Sequence, residues 1–337
     1  MPTISASSVK VQPVMSSSKM SLSEIRQEMM VRRPDLSAHA GGWASNDDAQ
    51  SNIGLPNVAP PVSDPEIVQS NGVVPETLRA RFYYWKPAPA GLQQQQSNLS
   101  QHLVRRLDAI DVILHKPDAD HVSILVTSRS AVLTHRKDGA VVSLQKIFQT
   151  KDSAVKVDWR SSAFELSSAD VFLWLAVRVR DNAQIAPELR LDSVLGISGT
   201  DSFDRVADLR SGVDFTRPNF LTAVAESDTL GPIELSFVHT YGSEQRTYSL
   251  KLWLDGGFSI YDSGLHFGAV LDLRDKMILA TTELAFRLIP RMNELFKQYQ
   301  AWPQKKFDVI EAAMEELEDR YKGLRAALNS RKPKSRP

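Results

Sequence analysis

The feature that most constrains the fold is a series of short β-branched and apolar segments between residues 120 and 262, interrupted by turn signals. Short strands separated by frequent turns favour an antiparallel sandwich, barrel or jelly roll over a βαβ sheet. Hydrophobic residues make up 42% of the 337 residues, which suffices for a sizeable core. The sequence therefore predicts a mainly β core.

Two glycine-containing turns help to divide this region into strands. Asp138-Gly139 and Asp255-Gly256-Gly257 are sequences that take the positive φ of a tight hairpin. The segment 171–180 begins apolar at both odd and even positions, as a strand buried on both faces does, and a buried helix is the alternative. The predicted strands are 121–127, 130–135, 140–148, 155–159, 171–180, 188–197, 233–240, 247–254 and 258–262.

The sequence of residues 1–97 predicts a largely disordered arm with one short amphipathic helix. Leu22, Ile25 and Met29 have helical spacing, and Ser21 or Ser23 is a suitable cap. Residues 34–75 are rich in Pro, Ser, Asn, Gly and Asp, so they bury too little apolar surface to offset the entropy of ordering. The folded core is expected over 98–268, starting with a short helix that carries Leu99, Leu103 and Leu107.

In residues 269–337 the apolar residues recur at the helical period. A kink is expected at Pro290 and a break at Trp302-Pro303. The last helix has an apolar residue at alternating steps of three and four, while acidic residues occupy other faces. Two interpretations are open: a helix packed on its own β domain, or a coiled coil that joins copies or captures a partner. The apolar stripe consists of Phe307, Ile310, Met314, Leu317, Tyr321, Leu324 and Leu328.

The chain has 40 basic and 40 acidic residues, so positive charge is local rather than general. After Asp319 the chain has basic residues and no acidic residue, which makes this tail the best electrostatic candidate for nucleic acid or anionic lipid. A solvated terminal tail is the alternative. The basic residues of the tail are Arg320, Lys322, Arg325, Arg331, Lys332, Lys334 and Arg336.

A second nucleic-acid candidate is the run of residues 79–86, which mixes bases with aromatics. Single-stranded bases stack on aromatic faces while Arg and Lys contact phosphates. The alternative is that these aromatic residues anchor the arm on the β core. The candidates here are Arg79, Arg81, Tyr83, Trp85 and Lys86.

The order of these segments resembles the thirty-kilodalton superfamily of plant-virus movement proteins, over roughly residues 110–265. Four segments carry the resemblance: a strand pair over 124–144, a long hydrophobic strand at 171–180, a strand that ends at Asp192, and Phe215-x-x-Pro218 before a last hairpin. The family often places Arg soon after this Asp, whereas Ser193 and Val194 follow it here. The balanced charge also differs from the strongly basic, RNA-coating members.

The resemblance implies a jelly-roll-like β-sandwich in which Asp192 is a signature structural residue; an exposed turn-capping Asp is the alternative. It implies no catalysis, and instead transport of the viral genome through plasmodesmata by single-stranded nucleic-acid binding, self-assembly, or both. The expected location is plasmodesmata and the periphery of the host plant cell, on the cytoplasmic side. The implied partners are the genome, further copies, viral coat or nucleocapsid protein, and host plasmodesmal or peripheral membrane proteins.

Motifs for catalysis or cofactor binding are weak or absent. Cysteine is absent, which excludes thiolate chemistry and Cys-based zinc sites and fits a reducing compartment. No His-x-x-x-His pair, Gly-rich phosphate loop or Gly-x-Ser-x-Gly elbow occurs, so neither metal nor cofactor is expected. Asp170 and Glu188 weakly resemble nuclease carboxylates, which leaves a metal-dependent nuclease as a minor alternative.

The main alternative is a capsid-like or intracellular scaffold protein with no nucleic-acid role. The sequence shows no secretory signal pattern. Its longest apolar run, residues 171–177, is far shorter than a membrane-spanning helix, so no transmembrane segment is expected.

Overall fold

The computed structural model describes residues 7–34, 40–43, 63–72, 74–87, 105–130, 139–158, 161–201, 206–209 and 218–330. They form mainly antiparallel sheet with a long C-terminal helix, which confirms the predicted fold class at that level. The chain divides into two compact units: 1–165, 255–262 and 270–289, and 166–254, 263–269 and 290–337. The predicted domain limits at 97/98 and 268/269 do not coincide with the limits of these units.

The sheet of the first unit consists of antiparallel strands in the order β2-β3-β4-β5-β1-β12. β6 pairs with β1 beside this path. Only residues 258–262 of β12 belong to this unit, and they pair with the start of β1. The strands are β1 (Ser8–Ser17), β2 (Glu66–Val68), β3 (Thr77–Pro87), β4 (Arg105–His115), β5 (His121–Val126), β6 (Val157–Asp158) and β12 (Phe258–Phe267).

The predicted N-terminal arm contributes three strands to this sheet. β1 buries Val9, Val11 and Val14, and it pairs with β5 and β12, which lie far away in the sequence. The prediction of disorder for 8–17, 66–68 and 77–87 was therefore wrong: 8–17 and 77–87 pair with strands outside the arm, and 66–68 pairs with 77–79. The helix in the arm is confirmed as α1 (Leu22–Met30), with Ser21 and Glu24 forming a capping box.

Residues 140–148, predicted as a strand, form α2 (Ala140–Phe148). Val141, Leu144 and Phe148 recur at the helical period and are buried in the core of the first unit. Gly139 is the N-cap of this helix and not part of a hairpin turn. The predicted strand at 140–148 is therefore wrong, because these apolar residues follow the helical period.

The structure tests some of the other predictions for this unit, and the rest fall on residues that it does not describe. Leu107 lies in β4, so the predicted helix is wrong at that residue, whereas Leu99 and Leu103 lie outside the described residues. The predicted strand at 155–159 is confirmed only as the short β6. The predicted strand at 130–135 and the turn at Asp138 fall outside the described residues, apart from Ser130.

The second unit contains antiparallel strands in the order β12-β11-β10-β8-β7, with β9 beside β8. β8, β10 and β11 confirm the predictions for 188–197, 233–240 and 247–254, and the part of β12 in the first unit confirms the prediction for 258–262. The elements are α3 (Asp170–Asp181), β7 (Gln184–Ala186), β8 (Leu189–Asp201), β9 (Val206–Leu209), α4 (Pro218–Glu226), β10 (Ser227–Tyr241) and β11 (Glu244–Leu252).

The segment 171–180 is the helix α3, so its assignment as a strand was wrong and the buried-helix alternative is correct. All residues from Val171 to Val177 are buried, and α3 packs against β8 and β10. A helix covered on all sides is apolar at every position, so its sequence lacks the helical period. Pro218 and Phe220 lie in α4 and not in the strand that the resemblance implies.

The C-terminal residues are helical, as predicted. α5 (Leu273–Glu283) continues through a π-helical turn (Leu284–Leu288) into α6 (Ile289–Gln298), and α7 (Trp302–Ser330) follows after a break. The N–H of Ile289 donates to the carbonyl of Leu284, and Pro290 follows with no N–H to donate. A π-helical turn thus precedes Pro290, where the sequence predicts a kink. No helix in the described ranges has both the length and the apolar character needed to cross a bilayer.

Candidate interaction surface on the C-terminal helix

The base of α7, residues 302–313, is fixed to the second unit. The indole of Trp302 is buried, and its centroid lies 6.1 Å from that of Phe296. The Trp302 Nε1–H donates to Asp170 Oδ2 at 3.4 Å, and Lys306 Nζ lies 2.7 Å from Asp170 Oδ1. The first residue of α3 therefore binds two side chains in the first turns of α7.

The last residue of α3 makes a second connection to the base. Lys305 Nζ lies 2.9 Å from Asp181 Oδ2, and Arg180 Nε donates to the other oxygen at 2.7 Å. Hydrogen bonding to Arg180 and Lys305 lowers the pKa of Asp181, with desolvation opposing the shift. Asp170 and Asp181 thus hold the base at both ends of α3.

The next turns of the base bury small apolar side chains. Val309 and Ala313 are buried, and α7 packs against α4. Val309 and Ala313 are four residues apart and therefore lie on one side of the helix. Neither belongs to the predicted apolar stripe, so a different face of α7 covers its own unit.

The apolar stripe is largely exposed. Four of its members, at one heptad position, are 57–66% exposed: Phe307, Met314, Tyr321 and Leu328. Leu324 is 66% exposed, and Ile310 and Leu317 are half-buried. A continuous stripe of large side chains in water is unusual for a folded chain and typical of an interaction surface.

The free end of α7, residues 321–330, is exposed at every position. α7 has 29 residues and is therefore about 43 Å long. A helical segment of only ten residues, as in the free end, is marginal in water without tertiary packing. The reason is that most helix stability in proteins comes from packing an apolar face. Gly323 lowers the intrinsic helix propensity further. The free end is therefore stabilised little by its own chain.

Charge is divided along α7. Residues 307–319 contain acidic side chains and no basic one, and residues 320–330 contain basic side chains and no acidic one. Within the helix, Arg320 lies 2.8 Å from Glu316 and Lys322 lies 2.8 Å from Glu318. The acidic residues are Asp308, Glu311, Glu315, Glu316, Glu318 and Asp319, and the basic residues are Arg320, Lys322 and Arg325.

No protein-family model matches the chain, and no curated protein shows significant similarity to it. The geometry of the surfaces therefore carries the functional argument.

The predicted aromatic platform on β3 is partly inaccessible. Arg81 and Tyr83 are buried, and Arg81 Nε donates to Asp111 Oδ1 at 2.9 Å from the directly opposite position on β4. Desolvation raises the pKa of Asp111, and Arg81 opposes the rise. Burial raises the pKa of Tyr83 to about 12, and its hydroxyl accepts from the Ser63 N–H. These side chains support the sheet and cannot contact bases or phosphates in this conformation.

The remaining nucleic-acid candidates differ in their accessibility. Arg79, Trp85 and Arg320 are half-buried, whereas Lys322 and Arg325 are exposed. Five candidates lie outside the residues whose side chains are described: Lys86, Arg331, Lys332, Lys334 and Arg336. Among these candidates, the described basic side chains that are exposed are therefore on the free end of α7.

The other sequence candidates do not form a catalytic group. Asp192 is exposed and is the fourth residue of β8, so the interpretation of a strand-end, buried carboxylate is wrong. Asp170 binds Lys306, and Glu188 Oε1 lies 3.4 Å from Arg291 Nε. No group of three His, Asp or Glu that could hold a metal occurs among the described residues. Asp170 thus has a role in holding α7.

Sequence reasoning missed the residues that position α7. The sequence indicates Asp170 only as a weak nuclease-like carboxylate, and no local pattern marks Asp181 as a partner of Lys305. Trp302-Pro303 was identified as a break, and that break is the start of α7. The adjacent lysines after it were a signal for an anchored helix start, but only the fold identifies the acids that bind them.

Proposed function

We propose that the protein is a non-enzymatic assembly protein whose copies associate through the apolar stripe of α7. One observation carries the proposal: the heptad position shared by Phe307, Met314, Tyr321 and Leu328 is more than half exposed throughout. Apolar residues repeated in heptads are the pattern by which helices pair through knobs-into-holes contacts. The anchored base would hold this stripe in a fixed orientation for a partner helix.

The apolar burial available from the stripe is comparable to the cost of association. Burying a large apolar side chain contributes about 1.5–3 kcal/mol. Ten half-exposed side chains from two copies would then contribute on the order of 10 kcal/mol. Association costs about 4–15 kcal/mol in lost freedom. The gain and the cost are of similar size, so we expect a weak equilibrium between monomer and assembly that depends on protein concentration.

Sedimentation of the full chain tests this function. Met314→Glu combined with Leu324→Glu should leave a monomer at concentrations where the wild type associates, because two charges would enter the paired stripe. Ala312→Glu combined with Ala326→Glu is the matched control, since both alanines are exposed and lie on another face. Loss of association in the control as well, or a wild type that stays monomeric at millimolar concentration, would refute the proposal.

The second candidate function is cell-to-cell movement of a plant-virus genome. Antiparallel sheet together with a self-associating helix suits that role, and exposed Lys322 and Arg325 favour it by adding positive charge at the free end. In this function a jelly-roll-like core would be the assembly unit, and the partners would be single-stranded nucleic acid, viral coat or nucleocapsid protein, and plasmodesmal proteins. The helices α2 and α3, where the resemblance implies strands, weigh against it.

Binding of labelled single-stranded RNA at two salt concentrations separates the two candidates. A movement protein should bind with an affinity that falls steeply with salt, because cations are released from the phosphates. Lys322→Gln with Arg325→Gln should then weaken binding and reduce the salt slope by about two. Undetectable binding at low salt would remove this candidate and leave the scaffold function. A fluorescent fusion that spreads between leaf cells from wall-associated spots would support movement directly.

A further inference from the structure

We propose that two copies pair their α7 helices antiparallel, so that the acidic half of each stripe lies beside the basic half of the other. This inference rests on the proposed self-association and adds the identity and orientation of the partner helix. It follows from the division of charge on either side of Arg320. The occupant of the exposed stripe is therefore a second copy of this chain.

Antiparallel pairing brings opposite charges together along part of the stripe. The acidic half, residues 307–319, carries six negative charges, and residues 320–330 carry three positive charges. Opposite charges beside a helix pair determine its orientation more than its total affinity. The helix dipoles also oppose each other in this arrangement, which is favourable.

Parallel pairing would place like charges together. The acidic halves would lie side by side, with no basic side chain between residues 307 and 319 to offset them. Arg320 and Arg325 occupy the g and e positions that flank the stripe, so Arg320 of one helix would face Arg325 of its partner. The salt bridges within each helix do not remove this repulsion, since exposed pairs are weak and easily rearranged.

In the part of the chain that the structure describes, the stripe is also accessible to such a partner. The free end is exposed at every position, and the face of the base that contacts α4 differs from the stripe. Val309 lies off the stripe, and Ala313, one heptad before Arg320, flanks it, so a partner helix would lie most freely on the stripe beyond Ala313. The free end of each copy would cover the acidic half of the other.

Spin-label distances on the full chain test the orientation. Because the chain has no cysteine, Ala312→Cys, Asp319→Cys and Ala326→Cys each give a single labelled site. The three sites are one heptad apart, exposed, and on the face opposite the stripe. In an antiparallel pair, each heptad away from the centre adds about 21 Å to the axial separation of equivalent labels, from a rise of about 1.5 Å per residue.

The predicted result is that the three distances are not all equal: all three differ, or two are equal and the third differs. The same distance at all three sites would overturn the antiparallel arrangement while leaving self-association intact. Labelled chains that sediment as monomers at every concentration would overturn self-association itself, and this inference with it. Sedimentation of each labelled variant before the distance measurement distinguishes the two failures.

A charge substitution gives an independent check. Arg325→Glu should weaken association several-fold in an antiparallel pair, because it places an acid beside the partner's acidic half. In a parallel pair the same change would relieve the repulsion with Arg320 and strengthen association. Added salt should weaken the wild-type pair, since screening reduces attraction between opposite charges. Stronger association of the Arg325→Glu variant, together with stronger association of the wild type in added salt, would contradict the antiparallel arrangement.

Discussion

The base and the free end of α7 share one apolar periodicity but have opposite environments. In the base, Trp302, Val309 and Ala313 are buried and α3 supplies two carboxylates that bind lysines. In the free end, Tyr321 and Leu324 are exposed and no described residue covers them. The helix α7 is therefore packed within its unit at its start and exposed to solvent at its end.

This difference shows that a heptad pattern and a packed face are separate properties. The residues that fix α7 to its unit include Val309 and Ala313, which lie outside the stripe, while the stripe faces solvent. Two interpretations were open from the sequence, a docked helix and an intermolecular one. The structure supports docking through another face for the base, and the proposal assigns the stripe to a second copy.

The largest expected difference between the two regions is in the free energy of unfolding. Trp302→Ala should destabilise the second unit by about 3–5 kcal/mol, because it empties a buried site beside Phe296. Tyr321→Ala should change the value by less than about 0.5 kcal/mol in dilute monomer. Urea denaturation measures both. Similar losses from the two substitutions would mean that the free end is also packed within the monomer.

Adjacent alanines sharpen the comparison within the base. Ala313 is buried and Ala312 is exposed, although they are neighbours with the same side chain. Ala313→Glu should cost about 2 kcal/mol or more, because it buries a charge against α4, and Ala312→Glu should be nearly neutral. Thermal unfolding of the pair is the measurement, and equal melting temperatures would contradict the described packing of the base.

A glycine substitution strengthens the free end. Gly323→Ala should favour the helix by about 0.5–1 kcal/mol, since Ala has the higher propensity and a Cβ there meets no atom within 4 Å. Both helical circular dichroism and self-association should increase. Gly242→Ala is the control, because its φ of 59° strains any side chain and should destabilise the hairpin between β10 and β11. An unchanged helical signal for Gly323→Ala would count against a marginal free end.

The smallest expected effect is the pH dependence of the stability that Asp181 contributes through its contacts with Arg180 and Lys305. The lowered pKa of Asp181 contributes stability above its unfolded value, and that contribution is lost as pH falls through the folded pKa. The stability advantage of wild type over Asp181→Asn should therefore shrink between about pH 5 and pH 2. Urea midpoints at several pH values measure it. An advantage that grows on acidification would contradict the ion pair with Lys305.

Much of the β architecture could be predicted because the relevant patterns are local. Strands β8, β10, β11 and β12 carry apolar alternation, and Gly256 has the positive φ expected of its turn. The amphipathic α1 and the stripe of α7 were equally readable. In these segments a single face is buried or exposed, so the period survives in the sequence.

The rest depended on partners that are distant in sequence. α3 is covered on all sides, so it shows no helical period, and β1 owes its order to β5 and β12. Arg81 was expected to be free for phosphate, but Asp111 opposite it on β4 buries it as a pair. The sequence also could not distinguish the covered face of α7 from its exposed stripe, because that depends on where α3 and α4 lie.

Hydrogen exchange of α7 at two protein concentrations tests the central claim most directly. Amides in residues 302–313 should be protected at both concentrations, since the base is fixed within its own unit. Amides in residues 321–330 should exchange rapidly in dilute protein and become protected as copies associate. Equal exchange of residues 321–330 at both concentrations, in a sample that sedimentation shows to associate, would contradict the assignment of the stripe as the self-association surface.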